Sequence, residues 1–367
     1  AAAAGALYVS AENAQFDNLF GGPMVVEVIV KDPNRSLTNE NQGEPTVMVD
    51  NQQLRMAQGI DGNWYGYFAD DTDVSTVFAL KAATNTYPLN FGTTADLDVV
   101  VTYGADQYNN GTLADSSNFS GVIDNPPLLS NWSNNTADAG SGQIVITDGE
   151  WPILQTFDFT QEDFDVVLEQ AGTDEVVTLE HNNNDLDDYA SLTLDRNSAS
   201  QDSEVMLFIV DQALNIDPTD EDVVIFKVAD SGSATGSGVA FTNGTINWQY
   251  LATATNNYTA ASDGFAFDDN GKLLIHMDAA GTGNALIEKD ATADDTVISV
   301  TDGFTYLVFF EDADNTGTFS NVDDSDDANL DVVSTAPRGA TVTFDYNDSA
   351  QSFTVANDFG TLDMDES

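Results

Sequence analysis

The chain has 367 residues, with 62 Asp and Glu against nine Lys and Arg, a formal charge of −53. That balance repels nucleic acid and anionic lipid headgroups and excludes both as partners. A hydrophobic share of 41% with 21 Phe marks a folded protein rather than a disordered acidic tail, and without an apolar run of about 18 residues no direct membrane insertion is expected.

The acids are 48 Asp and 14 Glu, and Asp suits turns and metal loops better than helices. Surface scaling gives a globule of this mass roughly 14,000 Å², or about one net charge per 270 Å². The mean spacing, about 16 Å, is near two Debye lengths at physiological salt, so self-repulsion is bearable on average. It becomes costly where two acidic surfaces meet, and bound cations are needed there. The chain has no Cys, so no disulfide holds it and thiols do not report its compartment. Its first residues, AAAAGALYVS, fit a processed N-terminus after removal of a signal peptide, and fit an arbitrary start equally.

In chain order, residues 6–103 read as short strands and turns: 6–11, 24–30, 45–50, 63–70, 75–80 and 96–103. Gly21–Gly22–Pro23, Asp32–Pro33–Asn34 and Asp61–Gly62–Asn63 provide turn chemistry between them. Several strands in about 100 residues predict an all-β fold, an immunoglobulin-like β-sandwich over 1–104. Trp64, Tyr65, Tyr67 and Phe68 are either a sugar-binding platform or alternate residues packed between two sheets, and the packed reading is favoured. A polar stretch over 105–142 reads as a linker or long loop.

Strands resume at 143–147, 153–159, 165–170, 175–180, 190–195 and across 204–228, giving a second, larger sandwich region over 143–367, with 230–238 either a flexible break that splits it or a loop inside it. Two paired similarities suggest a repeated unit: MVVEVIVKDPNRS with the 204–228 stretch, and NWYGYFADDTD with TYLVFFEDADN. In each, a strand runs into acids and a turn. Asn270–Gly271 predicts a tight hairpin.

The sharpest chemical signal lies at 312–323. Numbered from Asp312, oxygen side chains fall at positions 1, 3, 5, 9 and 12, with Gly at 6 and an apolar residue at 8. That is the spacing of a twelve-residue calcium loop. Asp312, Asp314, Thr316, Thr318 (through its carbonyl), Ser320 and Asp323 are the expected ligands of Ca²⁺ or another divalent cation. Asp at position 12 instead of Glu, and flanking strands instead of helices, depart from the helical form of that loop, and in so acidic a chain the alternative is a solvated turn that arose by chance. Catalysis finds no inventory: His181 and His276 stand far apart, and no nucleophile elbow, phosphate loop or zinc signature occurs. A paired-carboxylate enzyme would be invisible in so acidic a chain. Other acidic clusters, Asp70–Asp71–Asp73 among them, read as solvated loops. Sequons stand at Asn34, Asn110, Asn118, Asn131, Asn134, Asn243, Asn257 and Asn347, against roughly five expected by chance. Asn118, Asn131 and Asn134 crowd into the polar stretch and are the glycosylation candidates.

Four segments, GIDGNWYGYFADD, DQALNIDPTDED, TGTFSNVDDSDDANLDV and RGATVTFDYNDSAQSFTV, resemble the surface-layer glycoproteins of ammonia-oxidising archaea. Family members are considerably longer than this chain. The resemblance implies tandem immunoglobulin-like domains, secretion to the cell surface, glycosylation, and assembly with copies of itself into a two-dimensional lattice strengthened by divalent cations. On that expectation the acidic surface would enrich small cations such as ammonium near the cell. The rival reading is a secreted calcium-dependent adhesin or carbohydrate-binding β-sandwich protein, which requires exposed aromatics around a ligand pocket.

Overall fold

A computed structural model describes residues 5–22, 24–38, 44–59, 61–70, 73, 100–103, 122–123, 134–135, 153–159, 163–219, 221–228, 246–251, 270–277, 286–289, 305–322 and 326–357. The described residues are mostly β-strand, interrupted by the four-residue α-helix Asn183–Leu186, a helical residue at Asp73 and short 3-10 turns. Expected strands at 75–80 and 143–147, and the break at 230–238, lie outside them.

An eight-stranded sheet runs in the order Leu7–Val9, Val26–Val30, Trp64–Asp70, Ala57–Gly59, Val122–Ile123, Asn134–Asn135. Ile153–Phe157 joins Trp64–Asp70 in parallel and carries Val100–Tyr103 on its other edge. Facing it, a five-stranded sheet is ordered Leu19–Phe20, Glu175–His181, Asp163–Leu168, Val47–Val49, Gln52–Leu54. This pairing differs from the division expected at 143. Residues 153–181 complete the first unit, because Ile153–Phe157, Asp163–Leu168 and Glu175–His181 each pair with a strand from the first 70 residues. The described pieces of the polar stretch 105–142 are likewise strands at the edge of the first sheet.

The period of two along a strand explains how the layers join. On Trp64–Asp70, Trp64 and Phe68 enter one apolar core with Val26, Val28, Phe164, Val166 and Leu179. Tyr65, Tyr67 and Ala69, on the opposite face, enter a second core with Leu214, Ile216, Phe226 and Phe309. Every residue of Trp64–Asp70 is therefore buried. The five-stranded sheet has one solvated face, where Asp163 and Asp165 alternate with buried Phe164, Val166 and Leu168. The eight-stranded sheet is a middle layer with cores on both sides.

The second core belongs mostly to a ten-stranded sheet: Ser191–Leu194, Leu207–Val210, Thr318–Ser320, Thr305–Glu311, Val223–Val228, Ile246–Leu251, Lys272–Met277, Thr341–Tyr346, Gln351–Val355, Ser198–Ala199. The sheet curls, so that Leu192 N, on its first strand, donates to Ser349 Oγ at 3.1 Å in the hairpin near its far edge. A two-stranded piece, Ile287–Lys289 with Leu330–Val332, adds Leu286, Ile287, Leu330 and Val332 to the same core. The paired similarities have a structural counterpart. Asp32 and Asp211 each follow an apolar strand and cap a 3-10 turn, accepting from Asn34 N and Ala213 N respectively. An Asp or Asn side chain that accepts from the N–H two residues on is a local solution available to any such sequence.

Candidate functional site

The expected calcium loop lies on a β-hairpin. Thr305–Glu311 and Thr318–Ser320 pair antiparallel, Glu311 opposite Phe319. Asp312 and Asp314 are exposed on the turn, Thr316 and Thr318 are half-buried, Ser320 is buried within the ladder, and Asp323 lies outside the described residues. The Thr318 carbonyl accepts from Asp312 N at 2.9 Å, which brings these two expected ligands onto one tight turn. The group that shapes this turn, however, is Glu311, one residue ahead of the motif. Its carboxylate accepts from Thr316 N and Gly317 N, both at 2.7 Å, and from Thr316 Oγ1 at 3.2 Å. Gly317 has φ +60°, and a Cβ there would collide with the Gln212 carboxamide. The glycine serves the sharp turn, as its place in the motif implied.

Behind the hairpin the interior is acidic. Asp222 accepts from Ile216 N at 2.6 Å and Asp217 N at 2.9 Å, and its own N–H donates to Glu311 Oε2 at 2.9 Å. Burial pushes Asp222 well above the ordinary carboxylate range, with Asp217 and Glu311 adding to the rise. Glu27, in the middle of Val26–Val30, accepts from the buried Tyr67 hydroxyl at 2.9 Å. Burial raises it to about 7; Asp217 adds to this, while the Tyr67 bond and Lys31 oppose it. Asp211 accepts from Ala213 N at 2.8 Å, from Asn270 Nδ2 at 3.1 Å, and from the Tyr346 hydroxyl. Its burial also raises it to about 7. Gly271 N donates to Tyr346 Oη at 2.8 Å, so Asn270–Gly271, read as a hairpin turn, also anchors this network. The first strand of that hairpin lies outside the described residues. These acids sit where the two units meet, beside the Val25 N to Ile216 O bond of 3.1 Å and the Asn315 Nδ2 to Ser10 O bond of 3.3 Å. Held by backbone N–H groups and tyrosines, they set the junction and make it sensitive to pH.

A third arrangement joins residues far apart in sequence. Asp70 ends Trp64–Asp70, His181 ends Glu175–His181, and Asp73 stands three residues after Asp70. One ligand atom from each lies within 4.8 Å of the other two, and among the described residues no other three His, Asp or Glu come together so. His181 packs edge-on against Phe20 with ring centroids 5.0 Å apart, and lies 5.6 Å from the Phe159 ring. Burial holds its imidazole below the ordinary value, against the opposing pull of Asp70 and Asp73. Both halves of this cluster are visible in the sequence, an acidic run at 70–73 and a lone His. Nothing local joins them, because strand pairing across the two sheets makes the contact.

The remaining expectations sort by burial. Trp64, Tyr65, Tyr67 and Phe68 are all buried and form no exposed platform. Of the glycosylation candidates, Asn134 lies in the Asn134–Asn135 strand, while Asn118 and Asn131 lie outside the described residues. The sequon Asn347 has its amide bonded to Asp187 O at 2.9 Å and Asn270 Oδ1 at 2.8 Å, which occupies the nitrogen a glycan would need. No helix among the described residues is long and apolar enough to cross a membrane. These features define an all-β protein with an acidic interior junction. Comparison with known protein families and with curated proteins finds no match to this chain.

Proposed function

We propose that the chain is a non-enzymatic structural component of an archaeal surface layer, built from tandem immunoglobulin-like β-sandwich modules. In this reading it assembles with copies of itself into a two-dimensional lattice, with divalent cations between facing acidic surfaces. The observation that carries the reading is the charge: 62 acidic against nine basic residues on a body of fused β-layers. Two such surfaces approach each other only with cations between them. The four segments that resemble archaeal surface-layer glycoproteins point the same way, and three of them overlap described β-structure. The shared middle layer supports a mechanical role, since a strand buried on both faces resists shear between the units it joins. In this reading Asp312 and Asp314, exposed on their hairpin, would take Ca²⁺ with Thr316, Thr318, Ser320 and Asp323 as the further ligands. The acidic surface would then enrich cations such as ammonium near the cell, within a Debye length of about 8 Å at 0.15 M salt.

The test is chelation followed by two probes. Each core has its own apolar strands, so light scattering should report dispersal of assemblies while far-UV dichroism stays at its starting value. If secondary structure collapses before assemblies disperse, the cations hold individual folds and the lattice reading loses its basis.

A further inference from the structure

We propose that Asp70, Asp73 and His181 form a binding site for a divalent transition-metal ion of the zinc type, which ties the ends of two facing sheets together. This inference is independent of the lattice reading, because the site lies within one chain.

Three observations carry it. First, His181 Nε2 is buried and has no hydrogen-bond partner. An orphaned ring nitrogen buried beside two carboxylates calls for an occupant. Second, the spacing fits a shared ion better than a direct bond. Asp73 Oδ2 lies 3.7 Å from that nitrogen, too far for a hydrogen bond. Two ligand atoms at about 2.0–2.2 Å from one tetrahedral metal are roughly 3.4 Å apart, so a small inward movement closes the site. Third, the carboxylates are already oriented by neighbours. Asn183 Nδ2 donates to Asp73 Oδ2 at 2.9 Å, while Asn183 Oδ1 accepts from Gly22 N at 2.7 Å. Asp73 N donates to Asp70 Oδ1 at 3.0 Å. Such outer contacts fix ligand geometry before a metal arrives.

The donor set selects the ion. Calcium and magnesium take oxygen ligands, whereas an imidazole with two carboxylates suits zinc, manganese, cobalt or iron. With three protein ligands, the remaining coordination position is open to water. The Phe20 and Phe159 rings flank the imidazole and limit water on that side. Bound here, the ion would clamp the Trp64–Asp70 strand of the middle layer to the Glu175–His181 strand of the outer one.

Because the surface is so acidic, the experiment runs in excess calcium to saturate weak carboxylate sites. The full chain, stripped with a chelator, is titrated with Zn²⁺ while the two imidazoles are followed by nitrogen-15 NMR; the chain has only two histidines. His276→Gln assigns the signals. The proposal expects about one Zn²⁺ per chain, with the His181 Nε2 resonance shifting and His276 unmoved. It also expects zinc affinity to fall by roughly tenfold or more in Asp73→Asn, read in the same buffer. Zinc binding that leaves the His181 resonance in place would overturn it, since the pair would then be a His–Asp contact only. The NMR readout uses the wild-type imidazole, so it decides the question even if a variant at the site does not fold.

Discussion

Replacing Glu27 by Gln should stabilise the protein at alkaline pH and leave it nearly unchanged at acidic pH. Burial lifts the folded-state pKa of Glu27 from 4.5 to about 7. A group raised in the folded state contributes its full stabilisation below the unfolded value, and that contribution is lost as pH rises through the folded value. The window is therefore about pH 4.5 to 7, with stability falling as pH increases. The difference of about 2.5 units, at about 1.36 kcal/mol each, amounts to roughly 3 kcal/mol lost by pH 8. Ordinary surface carboxylates have finished titrating by about pH 5.5, so a fall between pH 5.5 and 8 isolates buried acids. Gln keeps a carbonyl oxygen for the Tyr67 hydroxyl and has no proton to lose at this site. In urea denaturation at fixed salt, Glu27→Gln should exceed the parent by roughly 3 kcal/mol at pH 8 and by under about 1 kcal/mol at pH 4.5. Asp211, also raised to about 7, titrates in the same window, so the variant keeps a reduced slope, not a flat one. Parallel loss of stability in variant and parent from pH 5 to 8 would show that Glu27 does not titrate in this window.

Tyr346→Phe removes the hydroxyl that donates to buried Asp211 and accepts from Gly271 N, leaving both without that partner. A loss of roughly 1–3 kcal/mol is expected in denaturant titration, and unchanged stability would contradict the role given to this network. Asp314 is exposed on its hairpin, so Asp314→Ala should lower calcium affinity without changing the unfolding midpoint in calcium-free buffer. Calorimetry returning the parent's calcium stoichiometry and affinity would remove the hairpin from the list of cation sites.

Strand positions were largely legible because aromatic and branched residues recur with turn residues between them. The expected strands at 24–30 and 63–70 correspond to Val26–Val30 and Trp64–Asp70, and the 204–228 stretch resolves into Leu207–Val210 and Val223–Val228 around Gln212–Leu214. Strand order was not legible. Asp163–Leu168 pairs with Val47–Val49 across more than 100 residues, a choice made by which apolar faces meet and not by local pattern. Nor did an acidic composition tell which carboxylates go inside. For Glu27 a signal existed: a lone acid in an apolar strand, MVVEVIV, with valines on the positions that alternate with it. That pattern belongs to a strand buried on both faces, where the acid needs a partner, here Tyr67. For His181 no comparable signal existed, since its partners stand 108 or more positions away in the sequence.

In the proposed lattice, acidic β-modules assemble through divalent cations. Negative-stain microscopy of the purified chain, with calcium and after its removal, decides whether they do. Ordered two-dimensional sheets are expected with calcium, dispersed particles without it, and sheets again when calcium is restored. Particles that stay dispersed at every calcium concentration, or sheets indifferent to the chelator, would contradict the proposed lattice.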